Sequence, residues 1–174
     1  MEKEKISQIF QKIKTTLIKE GFPVQRVSLK ITNGKCSYFT TKGLVIAIAP
    51  EAIIRTYQEN KCFLELVSVA KKVFKLDSIF IPVNNINEAI ILTLAHEFSH
   101  AISDIEYYGF RGKGLDLYKK RYKPHGKLFI KNYKKVLKAL VKHNILPLKI
   151  GKFSFYFDNS NLPNKYEVLS SFKN

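Results

Sequence analysis

The most constraining feature of the chain is His96-Glu97-Phe98-Ser99-His100, set inside an apolar run that includes Ala89, Ile90, Leu92, Leu94, Ala95, Ala101, Ile102 and Ile105. The run keeps helical spacing and is apolar over so much of its circumference that the helix must be enclosed by other elements. Asn85 or Asn87 is placed to cap its start. Positions i and i+4 share a helix face, so the two imidazoles project together from a buried segment, where unpaired polar groups are costly. A metal ion shared between them meets that demand.

Imidazole nitrogens suit Zn2+, and a catalytic zinc site takes three protein ligands and keeps one position for water. Glu97 is rotated by about 100° from His96, which sets its carboxylate beside the open position instead of on the metal. There it can act as general base on a water whose pKa zinc lowers to about 7, the chemistry of peptide-bond hydrolysis. For the third ligand the candidates are Asp104, Glu106, Asp116, His125 and His143. His125 is favoured because it follows His100 by 25 residues, after a glycine-bearing loop able to turn back, at the start of another helix. Asp104, one turn past His100, is better placed to hydrogen bond an imidazole. His143 sits at a helix C-terminus, where a cation offsets the helix dipole.

The remaining pattern describes one domain. Residues 1–20 carry Ile6, Ile9, Phe10, Ile13 and Leu17 at amphipathic spacing, which predicts a helix. Alternation over 24–32, the Asn33-Gly34 turn signal, a run over 36–40 and another over 44–49 predict three short antiparallel strands. Residues 51–75 return to helical spacing, as one helix or two broken near Asn60. Residues 79–83, crossed by Pro82, read as an edge strand or extended loop. A helix is expected from Pro124 to about His143, with a packing stripe of Phe129, Tyr133, Val136, Leu137 and Leu140, and a strand over 153–157.

Thirty Lys+Arg against fourteen Asp+Glu give a net charge of +16, and only four of the cations are arginine. Lysine binds phosphate as a point charge, so a nucleic-acid partner would be bound without sequence preference. Residues 111–142 hold twelve Lys/Arg and one acid, interleaved with Tyr118, Tyr122 and Tyr133. Lys119, Lys120, Arg121, Lys123, Lys127 and Lys131 are the candidate nucleic-acid contacts around His125, and Tyr118, Tyr122 and Arg121 are candidate oxyanion donors. Cys36 and Cys62 form no CxxC pair, which excludes a zinc ribbon and a disulfide framework and fits a reducing compartment. No apolar run approaches the roughly 20 residues of a membrane helix. A soluble intracellular protein with no membrane partner is expected.

His125-Gly126-Lys127-Leu128-Phe129 after His96-Glu97-Phe98-Ser99-His100 resembles the HExxH plus HGxxF pair of SprT-like zinc metalloproteases. Residues 34–53 are similar to that family's small sheet and following helix start, so the likeness spans roughly 24–140. The resemblance implies an α+β, zincin-like fold with a small antiparallel sheet and a buried HExxH helix packed against a second helix. It further implies one Zn2+ per chain on His96, His100 and His125, with Glu97 as general base. Substrates would be proteins or peptides, and because the family includes proteases of DNA-crosslinked proteins, DNA is an implied partner. The core is expected over about 24–143, preceded by the N-terminal helix and followed by a short extension. The segment from about Tyr57 to Ile86 is longer than the family's usual link, and the zinc ribbon of some members is absent. Two other readings are a regulatory metallopeptidase similar to the ImmA/IrrE group, with its third ligand nearer the motif, and a non-catalytic zinc-containing nucleic-acid-binding protein.

Overall fold

The HExxH segment lies in the middle of the long helix α4 (Ile86–Tyr108), around which the other elements are arranged. In this computed structural model, residues 3–109, 123–147, 149–150 and 153–154 are described. Asn85 caps α4 by accepting a hydrogen bond from the Glu88 N–H at 3.1 Å, and the Glu88 carboxylate accepts from the Asn84 N–H at 2.8 Å. This is a capping box displaced by one residue. Gly109, at φ 74°, ends the helix with its N–H on the Ile105 carbonyl at 2.8 Å. Between these caps nearly every residue from Glu88 to Ile105 is buried, as an all-round apolar helix requires.

Two amphipathic helices cover α4. The helix α5 (Lys127–Lys142) buries Phe129, Tyr133, Val136, Leu137 and Leu140, the stripe read from the sequence. The helix α1 (Lys3–Lys19) buries Ile6, Phe10, Ile13 and Leu17, and the Phe10 ring stacks on Phe98 with centroids 5.1 Å apart. α1 therefore belongs to the same core as the metal motif. Its C-terminal side is tied to α5 where Glu20 accepts from Lys142 Nζ at 2.8 Å and meets His143 Nε2 at 2.7 Å.

The three-stranded sheet departs from the expected antiparallel meander. Its order is β1-β3-β2, with β1 (Ser28–Ile31) parallel to β3 (Val45–Ile48) and β2 (Tyr38–Thr40) antiparallel to it. Asn33-Gly34 thus does not close a tight hairpin between neighbours. The chain crosses from one edge to the other, and the hairpin is formed by β2 and β3 through Thr41–Leu44, where Gly43 and Leu44 have φ of 78° and 51°. The cause is the apolar run at 45–49: Ile46, Ala47 and Ile48 are buried, which favours a central strand over an edge.

Residues 50–75 form α2 (Pro50–Asn60) and α3 (Val67–Val73), separated by a strand that helical spacing had concealed. This strand, β4 (Cys62–Leu64), pairs antiparallel with β5 (Phe80–Pro82), the edge strand expected near Pro82. Lys61, left-handed at φ 51°, ends α2 with its N–H on the Tyr57 carbonyl at 2.8 Å and turns the chain into β4. A last pair, β6 (Lys149–Ile150) and β7 (Phe153–Ser154), is antiparallel. The fold is mixed α+β with five helices and small sheets among the described residues, and no described helix is long and apolar enough to cross a membrane.

Because Phe10 joins α1 to the centre of α4, Phe10→Ala is expected to lower unfolding free energy by about 3–5 kcal/mol in urea denaturation. A loss under about 1 kcal/mol would show that α1 is dispensable to this core.

Candidate metal centre

His96 and His100 leave α4 on one face, one turn apart, and His125 reaches them from the residue before the Gly126 N-cap of α5. The three Nε2 atoms converge: His96 to His100 is 3.1 Å, His96 to His125 is 3.2 Å, and His100 to His125 is 2.9 Å. Among the described residues this is the His/Cys/Asp/Glu group close enough to hold a metal ion. His125, 25 residues from His100 in sequence, is thus brought to the pair as its position before a second helix suggested.

The placement of His125 is locally demanding. Its φ is 58°, in the left-handed region that non-glycine residues seldom occupy. A Cβ on Gly126 would come within 2.9 Å of the Lys123 carbonyl oxygen, so only glycine fits the tight passage into α5. One turn on, the buried Phe129 ring packs against all three imidazoles, with centroids 4.4 Å from His100, 4.9 Å from His125 and 5.0 Å from His96. The spacing of His125, Gly126 and Phe129 therefore has a physical reason for each residue: donor, turn and apolar support.

Proton arithmetic tests whether these residues fit a metal. His96 Nδ1 lies 2.9 Å from Glu65 Oε2, and a carboxylate only accepts, so Nδ1 carries a proton and Nε2 is the nitrogen left to ligate a metal. Burial, followed by the neighbouring His96 and His125, drives the His100 pKa down to about 2, so its ring is neutral. Burial, then His96, also lowers His125, with Glu65 opposing. Three imidazole nitrogens converging across 2.9–3.2 Å, two of them on rings that burial keeps from taking up a proton, are a donor set that could hold a cation. Tetrahedral ligands at 2.0–2.1 Å from zinc stand about 3.3–3.4 Å apart, within a few tenths of this spacing. The donor set fits the metal.

Glu65, which the sequence had not singled out, completes the support. Its Oε1 accepts from the Leu66 N–H at 2.8 Å while Oε2 holds His96, and its side chain is 1% exposed. Burial disfavours charge on His96, but the Glu65 hydrogen bond and charge, with Glu97, outweigh it and hold His96 above its ordinary pKa. Beside Glu65 lies the fully buried Tyr133, whose hydroxyl faces the carboxylate without closing a hydrogen bond; burial first, then Glu65, pushes its pKa well up. A carboxylate on the residue that follows a three-residue strand has no periodic signature, and only the fold brings it to His96.

Glu97 is buried but is not among the converging donors. Burial pushes its carboxyl up to about 7, with Glu65 adding to the shift and His96 and the Phe39 N–H of β2 opposing it. The other candidates are engaged elsewhere or lie outside the described residues. Glu106 accepts from Asn132 Nδ2 at 2.9 Å, His143 pairs with Glu20, and Asp104 is buried one turn past His100. Asp116, Tyr118, Lys119, Lys120, Arg121 and Tyr122 lie outside the described residues. Lys123, Lys127 and Lys131 are exposed at four-residue intervals along the entry to α5. No family model, curated protein or solved structure matches the chain.

Glu65→Ala is expected to lower affinity for added Zn2+ by about 10–100-fold in a competitive chelator titration, because His96 loses the acceptor that orients it. Unchanged affinity would remove Glu65 from the account. In metal-stripped protein Glu97 has a folded pKa of about 7 against an ordinary 4.5. Its contribution to stability is therefore present below 4.5 and lost as pH rises through 7. Glu97→Gln, which preserves a neutral side chain, should stabilise the stripped protein at pH 8 by on the order of 2–3 kcal/mol and much less at pH 5. Equal effects at both pH values would contradict this.

Proposed function

We propose that the chain is a zinc-dependent peptidase with a zincin-like, SprT-like core, acting on proteins associated with DNA. The observation that carries the catalytic part is the convergence of three imidazole Nε2 atoms within 3.2 Å of one another, with the buried carboxylate of Glu97 on the same helix beside them. A Zn2+ ion held by His96, His100 and His125 would supply a Lewis acid and lower the pKa of a water to about 7.

The protein's own contribution is positioning and proton transfer. Glu65 fixes the His96 tautomer so that Nε2 stays free to ligate, and Phe129 holds the imidazole planes. Glu97 accepts a proton from the nucleophilic water and returns it to the leaving amine. A group that must both take and give a proton works best with a pKa close to the operating pH, and burial raises Glu97 above the ordinary carboxylate range, against the lowering that a bound cation would bring. The site opens into a cleft of about 630 Å3 that reaches His96, Glu97 and His125, enough for a short length of polypeptide.

Support for the nucleic-acid part is electrostatic. The net charge is +16, and the exposed Lys123, Lys127 and Lys131 run from the turn that carries His125. Such a row attracts phosphates without reading bases. A third ligand 25 residues beyond the motif also separates this reading from an ImmA/IrrE-like site with a nearer ligand.

Glu97→Gln is expected to keep zinc while lowering turnover of an unfolded protein substrate by about 10²–10⁴-fold. Full activity in that variant would overturn the mechanism. Lys127→Ala combined with Lys131→Ala should weaken DNA binding and flatten its salt dependence by up to about one unit of logarithmic slope per contact. Binding that ignores salt would remove DNA from the proposal.

A further inference from the structure

The cleft that opens from the metal centre has an apolar wall that the fold itself does not require. In a hairpin with one buried face, alternate residues turn to water and are usually polar. In β4 and β5 the inward pair Phe63 and Ile81 is buried, as expected, but the outward partners Leu64 and Phe80 are also apolar, at 44% and 45% exposure. The patch continues through Leu66, Val67 and Ile79, exposed at 49%, 51% and 38%. It is contiguous, because Leu64 and Phe80 are cross-strand partners and the Glu65 N–H donates to the Ile79 carbonyl at 2.9 Å. Single exposed apolar residues are ordinary, whereas a connected group of them marks a binding surface.

A second local rule is broken at the same place. Leu66 is the N-cap of α3 and makes no side-chain cap, although Ser, Thr, Asp or Asn there would satisfy an orphan N–H. Leu64, Leu66, Val67 and Ile79 line the cleft together with Ile53 and Phe63, and His96, Glu97 and His125 line it as well. Local costs gathered at one site point to function there.

We propose that this wall is a specificity subsite, which takes a large aliphatic or aromatic side chain of the substrate next to the peptide bond presented to Glu97. This rests on the peptidase reading above and assigns a role to the long segment between α2 and α4. The occupant is argued from the cleft: its apolar wall is continuous with the reacting groups, and Glu65 and the histidines are committed to one another. Among the described residues, Lys35, exposed, is the one lysine or arginine that lines it. A charged substrate side chain would lose water against Leu64 and Leu66 without a matched partner.

The test uses the zinc-loaded full chain and calorimetric titration with acetohydroxamate, then with N-acetyl amino-acid hydroxamates bearing Gly, Ala, Leu, Phe, Lys or Asp. The hydroxamate anchors at the metal, so the series reads the side chain alone. The Leu and Phe compounds are expected to bind at least about tenfold more tightly than the Ala compound, and Lys and Asp no more tightly than Ala. Leu64→Ser with Leu66→Ser should bring the Leu-to-Ala ratio to within about threefold. Leu66→Ser supplies a better N-cap and is expected to hold or raise Tm, so loss of preference cannot be attributed to unfolding. Acetohydroxamate binding with a flat series would overturn the subsite and leave the metal centre standing. No binding even of acetohydroxamate would overturn the peptidase reading and the subsite with it.

Discussion

Three imidazole nitrogens held within 3.2 Å of one another are the arrangement on which the rest of this structure depends. His96 donates its Nδ1 proton to Glu65, which turns Nε2 toward the cluster, and burial keeps His100 neutral. A metal ion held by such nitrogens would contribute its binding free energy to folding. Each neighbouring element can be understood by what it does for those nitrogens. α4 presents two of them from a capped, enclosed helix, the entry to α5 delivers the third through a left-handed residue and a glycine, and the residue after β4 brings the carboxylate that orients the first.

The strain and the burial are distributed with some economy. His125 occupies an unfavourable φ, and Gly126 is needed for the chain to pass Lys123, but both lie at the entrance to a helix that is anchored by the buried Phe129 and Tyr133. Glu65 is a buried acid whose two oxygens each have a partner, so its burial does not leave an unmet acceptor. Glu97 is different: it is buried with a raised pKa and is held near β2 by the Phe39 N–H. That is a cost to the fold, and the proposed role as general base would account for it. The apolar cleft wall is a similar departure, since α3 forgoes a side-chain N-cap and β4 turns Leu64 toward water.

Much of this was legible in the sequence because helices advertise themselves by period. Ile6, Phe10, Ile13 and Leu17, the all-round apolar run of α4, and the Phe129 to Leu140 stripe each identified a helix and its buried face. The histidine cluster was legible for the same reason: i, i+4 spacing sets two donors, and His125 stood before a second helix. Pairing of short strands carries no such signature. Asn33-Gly34 suggested a hairpin, yet the apolar content of β3 drew it to the sheet centre and made β1 its parallel neighbour. β4 was hidden inside a helical pattern because three apolar residues fit either period. Glu65 depended on that strand and on a contact spanning 31 residues, so its role became visible only in three dimensions.

The central claim is that His96, His100 and His125 form one three-nitrogen metal site. X-ray absorption at the zinc edge, on full-length protein loaded with one equivalent and cleared of loosely bound ion, tests it directly. The account predicts near-stoichiometric zinc, three imidazole nitrogens at about 2.0–2.1 Å and one lighter-shell oxygen, with an imidazole lost in His125→Ala. Failure to retain zinc, or a shell with the same number of imidazoles in His125→Ala as in the wild type, would contradict it.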